Sequence, residues 1–126
     1  MTRVLFAAAE SAPFYKTGGL GDVSMALPRA LQAEGVETRV VIPYYPRRMP
    51  AEYQQQLKPV THFTVQVGAR AMYCGVKTLT VAHVQYYLID NLDYFGRDGL
   101  YGYWDDGERF AFFQMAICEM MERIDY

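Results

Sequence analysis

Cysteine is scarce in this chain, and each thing it lacks closes a class of function. The two cysteines, Cys74 and Cys118, form no C-x-x-C and have no histidine at metal-ligand spacing. A disulfide scaffold and a cysteine-ligated metal site are therefore excluded, and both are expected to be reduced thiols in an apolar core. No apolar run reaches membrane-spanning length. The run from Val4 to Ala9 ends at once in Glu10, which is too short for a secretory leader. The cytoplasm is the expected location. A dominant charge is also lacking: 12 basic against 14 acidic residues leave a net charge of -2, with no long-range field to draw nucleic acid or anionic lipid. Phosphate groups must then be met by a local arrangement. There is no internal repeat and no low-complexity tract.

What is present is a chain of 126 residues, 52% hydrophobic, enough for one packed unit. Val4 to Ala8 reads as a strand buried on both faces, as in parallel sheets. A loop from Glu10 to Gly19 leads into a helix from Leu20 to Glu34. Its apolar positions Val23, Ala26, Leu27, Ala30 and Leu31 recur at helical spacing. Pro28 should bend that helix or end its first part, and Gly35 is placed to cap it. A second strand, Glu37 to Ile42, completes a βαβ unit with a right-handed crossover. Tyr44 to Pro59 reads as a loop with room for one short helix. Thr61 to Val67 and Ala71 to Val81 read as an antiparallel hairpin inserted near residues 60–82, turning at Gly68 to Arg70. Val84 to Ile89 rejoins the main sheet. Asp90 to Asp106 reads as a long loop, and loops of that length are often functional. A last helix begins at Asp106 or Gly107 behind a capping-box variant of Asp105 and Glu108. Phe110, Phe113, Ile117, Met120, Met121 and Ile124 form its apolar side. The fold class is α/β: a Rossmann-like, open, mostly parallel sheet with helices on both faces. Only about three main strands occur, whereas the mean sheet holds about five or six. Residues 1–126 are therefore expected to form a single incomplete domain.

The chemistry concentrates in Lys16-Thr17-Gly18-Gly19-Leu20-Gly21-Asp22, between a strand and a helix. Ligands of open α/β sheets bind beyond the carboxyl ends of the strands. A helix start leaves backbone N–H groups unpaired and carries partial positive charge, so an anion is welcome there. Gly18 and Gly19 let the backbone come close to a ligand, and Lys16 adds a full charge. The familiar phosphate loops do not fit. Lys16 precedes its glycines instead of following them, and the spacing of Gly18, Gly19 and Gly21 is not G-x-G-x-x-G.

Glu10-Ser11-Ala12-Pro13 followed by Lys16 to Val23 resembles the N-terminal signature of bacterial glycogen synthases and plant starch synthases. Ala26-Leu27-Pro28, Gly35, Val40-Val41-Ile42-Pro43, Tyr87 to Asn91, the tyrosine-rich loop and Glu108 to Phe113 agree in order and spacing. The resemblance implies a GT-B fold, two Rossmann-like domains facing across a cleft, of which this chain is the first part of the N-terminal one. It also implies transfer of glucose from ADP-glucose to the non-reducing end of an α-1,4-glucan with retention, in glycogen biosynthesis, with no metal and no cofactor. Lys16, Gly18 and Gly19 fall at donor-binding positions; Glu10, Asp22 and Tyr101 fall on the acceptor side. The family's other active-site residues, a histidine soon after this stretch and residues of the C-terminal nucleotide-binding domain, are absent. No catalytic residue is therefore assigned within the chain, which alone is expected to be inactive.

Other readings compete. A different GT-B transferase would use a UDP- or GDP-sugar, a non-catalytic nucleotide-binding module would bind tightly in isolation, and a Rossmann oxidoreductase lacks its G-x-G-x-x-G here. Tyr94, Phe95, Tyr101, Tyr103 and Trp104 lie among Asp90, Asp93, Asp98, Asp105 and Asp106, a composition that suits a sugar. Nothing in the spacing selects a glycosidase pair among those carboxylates. The stretch from Asp90 fails as a calcium loop, because Tyr101 stands where the twelfth-position Glu belongs. His62 and His83 fall in strand regions and read as structural.

Overall fold

The computed structural model describes residues 2–126. In chain order the elements are β1 (Arg3–Ala7), α1 (Gly19–Ala33), β2 (Glu37–Pro43), α2 (Ala51–Gln54), β3 (Lys58–Val67), β4 (Arg70–Val81), β5 (Val84–Asp90), α3 (Leu92–Phe95) and α4 (Asp106–Ile124). The strands form one open sheet in the order β1-β2-β5-β4-β3. β1 and β5 run parallel to β2, while β4 and β3 continue the sheet antiparallel. The hairpin is thus an extension of the main sheet, with β5 as the joint. Val40, Val41 and Ile42 of β2, with Tyr86, Leu88 and Ile89 of β5, are wholly buried, as central parallel strands require.

The two faces separate by strand parity. Arg39, Tyr87 and Phe63 point to one face, where Arg39 reaches Tyr87 and the ring of Tyr126, and Arg123 of α4 lies over Phe63. Tyr86 points to the other, where its ring meets Phe14 edge-on with centroids 4.9 Å apart. Helices cover both faces, α4 on one and α1 on the other. Among the described residues no helix is long and apolar enough to cross a membrane.

Several expectations are corrected. β1 is an edge strand, half-buried rather than buried on both faces, because it pairs only with β2. α1 does not pack through its apolar stripe. Gly21, Ser24 and Pro28 are its buried residues, whereas Val23, Ala26, Leu27 and Ala30 are exposed and Leu31 is half-buried. Small residues on the inner side bring the helix close to the sheet, and periodicity alone identifies a stripe without saying what covers it. Pro28 does not end the helix, which runs on to Ala33. Gly35 caps it as expected: its φ is +86°, and Gly35 N–H and Val36 N–H donate to Gln32 and Leu31 carbonyls. Cys74 is buried and its thiol pushed up to about 12 by burial, but Cys118 is exposed. Asp105 and Glu108 form no capping box. Asp105 pairs with Arg97, and Glu108 accepts from Arg70 and Tyr94. On α4, Phe113 and Met120 are buried but Met121 is exposed, and Phe112 and Ala116 join the core. His83 sits in the β4–β5 turn, where it and Ala82 have positive φ. The loop after β5 contains α3, capped by Asn91, whose side chain accepts from Tyr94 N–H at 3.0 Å.

Candidate functional site

The loops after β1, β2 and β5 converge at the carboxyl edge of the sheet, the edge at which open α/β folds bind ligands. After β1 comes Glu10, then the Lys16 loop. After β2 comes Tyr45, buried, whose hydroxyl donates to the Ala9 carbonyl at 3.3 Å. After β5 comes the aromatic loop, with Tyr101.

Lys16 stands at the start of α1, with its stem folded over Gly21. A Cβ at Gly21 would lie 2.3 Å from the Lys16 Cβ, so only glycine fits there. Among the described residues no side chain caps α1, and Gly18 at its N-cap is extended. A Cβ at Gly18 or Gly19 would meet nothing within 4 Å. The glycines therefore leave open space above the helix start. Lys16 Nζ lies 2.8 and 3.0 Å from the two oxygens of Asp22. Both side chains are about half exposed, at 49% and 56%, and such a pair contributes at most about 1 kcal/mol. An incoming anion can displace it. Two concavities of the surface lie on the hairpin, beside Lys58 and Thr78 and beside Thr61 and Tyr73. At the helix start the bare glycines make the Lys16 loop an open ledge.

Glu10 is 2% exposed. It accepts from Thr17 N–H and Thr17 Oγ1, each at 2.6 Å, and from the Tyr101 hydroxyl at 2.7 Å. Burial opposes its ionisation, but the hydrogen bonds from Thr17 and Tyr101, with the Gly18 backbone, outweigh it and hold the carboxyl below its usual range. Burial and the bond to Glu10 push the Tyr101 hydroxyl upward.

The aromatic loop is built around a residue the sequence reading had no reason to single out. Arg109 is fully buried and donates to the carbonyls of Tyr94 and Leu100 and to Asp106, with rings of Phe95, Tyr103 and Phe110 about it. The loop carboxylates are largely engaged within the chain: Asp105 with Arg97, Asp98 with Arg47, Asp106 with Arg109 and the N–H groups of Gly102 and Tyr103. Of its aromatics Tyr94 and Phe95 are core, while Trp104 is 93% exposed. The structure thus brings Lys16, Gly18, Gly19, Asp22, Glu10 and Tyr101 to one edge. Reading by pattern gave Thr17, Gly21 and Arg109 no role of their own. The Gly21 requirement was at least hinted at by a third glycine in the motif.

The chain has relatives in sequence and in fold among known proteins. The catalytic domain of starch synthase IV from Arabidopsis thaliana, solved bound to ADP and acarbose, superposes with a TM-score of 0.84 at 28% identity, over 98% of this chain and 26% of that one. A glycogen synthase of Lactiplantibacillus plantarum is 90% identical over all 126 residues, and one of Lacticaseibacillus casei is 58% identical over the same length. The chain spans 26% of the length of each of these two relatives. The family model of the starch synthase catalytic domain matches residues 3–126, which leaves Met1 and Thr2 alone outside it, and the chain belongs to that family.

Proposed function

We propose that the protein of which these residues are part is a cytoplasmic glycogen synthase, transferring glucose from ADP-glucose to the non-reducing end of an α-1,4-glucan with retention. The observation that carries this is the open ledge at the start of α1, where Lys16 and the bare backbone of Gly18 and Gly19 stand together at the end of β1. The leaving group of such a transfer is a nucleoside diphosphate, and its charge grows as the sugar departs. A preorganised ammonium and helix N-terminus stabilise that charge without a metal ion. Tyr101, Glu10 and Asp22 border the ledge on the acceptor side. The glycogen synthase relatives and the ADP- and acarbose-bound starch synthase support the choice of donor and acceptor. The remaining groups of the active site belong to a facing C-terminal domain.

The test is a chimaera in which this chain replaces the matching 126 residues of the L. plantarum relative. It is expected to elongate glycogen from ADP-glucose, and a folded but inactive chimaera overturns the proposal. Within it, Lys16→Ala should lower kcat by about 100-fold or more, with folding intact. Unchanged turnover at saturating donor would remove Lys16 from the mechanism.

A further inference from the structure

The geometry points to Glu10 as a positioning residue: its buried carboxylate locks the Lys16 loop to the Tyr101 loop, and acts on transfer through Thr17 and Tyr101 without touching either substrate. This rests on the reading that the donor's phosphates meet Lys16.

The carboxylate has about four acceptor positions. Three are taken by Thr17 N–H, the Thr17 hydroxyl and the Tyr101 hydroxyl. A residue 2% exposed with three of those positions occupied has little left to offer a sugar. Its bonds hold Thr17 by both backbone and side chain. Thr17 is flanked by Lys16 and Gly18, so fixing it fixes the direction of the ammonium and the entry of α1. The absence of a side chain at Gly21 is part of the device, since a Cβ there would stand 2.9 Å from Glu10 Oε2. At the other end, Tyr101 spends its hydroxyl on Glu10 and rests against Phe110, with ring centroids 5.9 Å apart. Its ring is then the part left for a ligand. The two tethered loops are 91 residues apart in the chain and leave different strands. Among the described residues no cation pairs with Glu10, so hydrogen bonds alone hold its charge, and charge-assisted bonds are the strong ones.

The test uses the same chimaera, read by kcat, by separate KM values for donor and glucan, and by tryptic cleavage after Lys16. Glu10→Gln replaces one acceptor oxygen with a donor and cannot hold all its partners. It should lower kcat by about 100-fold and raise the donor KM, while Glu10→Asp, which keeps the charge, recovers about tenfold of the loss. Cleavage after Lys16 should quicken as the loop is freed. Glu10→Gln combined with Tyr101→Phe should be no worse than Glu10→Gln alone within about twofold, as expected for members of one network. A loss confined to the glucan KM that multiplies with that of Tyr101→Phe would make Glu10 a direct sugar ligand and overturn the proposal. If Glu10→Gln does not fold, Tyr101→Phe and Thr17→Val carry the test: each should quicken cleavage and raise the donor KM, and the absence of both effects overturns it. An inactive unsubstituted chimaera counts against the glucosyl-transfer reading instead, and the cleavage assay still decides the clamp.

Discussion

Two glycines of the same loop should respond oppositely to one added methyl group. At Gly21 a Cβ lies 2.3 Å from the Lys16 Cβ and 3.2 Å from its Cα, so the lysine stem or the helix start must move. Such overpacking costs about 1–3 kcal/mol, against about 1 kcal/mol gained from alanine's helix propensity. Gly21→Ala is expected to lower the urea midpoint. Gly19→Ala meets nothing within 4 Å and should leave the midpoint unchanged or slightly higher, while weakening donor binding by filling the ledge. Equal midpoints for the two variants would show that the Lys16 stem yields freely and is not held in place by Gly21. The place of Lys16 and its glycines between a strand and a helix was legible in the sequence, and the structure has them at the start of α1. The partners of Glu10 were not. Its bond to Tyr101 spans 91 residues, and no periodicity records a contact of that kind.

At the scale of elements, the start of α4 is held by charge more than by a cap. Asp105 lies below its ordinary value of 3.8 because Arg97 donates to it. For Asp106 burial opposes ionisation, but the Gly102 N–H, Arg109 and the Tyr103 N–H together keep it below that value. In both, the ionised form favours the fold. Their contribution is fully present above the ordinary aspartate value and is lost as pH falls through the lowered one. Urea midpoints taken from about pH 5 down to about pH 2 should therefore fall, and Asp106→Asn should flatten that slope and lower the midpoint at neutral pH. An unchanged slope would mean that Asp106 is solvated equally in both states. The sequence spacing of Asp105 and Glu108 suggested a capping box, yet Arg97 and Arg70 claimed those carboxylates first. The packing of α1 was hidden for a related reason. Its 3.6-residue stripe is real, but the close approach allowed by Gly21 and Ser24 turns the smaller side to the sheet. β2 was easier to read, since its apolar run from Val40 to Ile42 does occupy the centre of the sheet, but the equally apolar Val4 to Ala8 lies at the edge, which no run of residues by itself reveals.

For the whole molecule, two unpartnered features lie side by side on the chain. β1 offers one side of its backbone ladder to no neighbour among the described residues. α1, which follows it, exposes Leu20, Val23 and Leu27, one apolar ridge at helical spacing. An open strand edge is a template for pairing, and an apolar ridge lowers the cost of approach. The 126 residues expressed alone are therefore expected to self-associate at about 100 µM and to bind a dye that reports exposed apolar surface. Val23→Lys with Leu27→Lys should suppress the association without loss of secondary structure, because neither side chain is part of the core. Sedimentation of both proteins over a concentration series decides it. A monomer at every concentration, with no dye bound, would mean that the ridge is sparse enough to be tolerated by water. The same surfaces account for how a chain spanning 26% of its relatives' length can have a well-packed sheet centre and an open flank. Its core is closed by α4 and the hairpin, while the side that bears Lys16 is left bare.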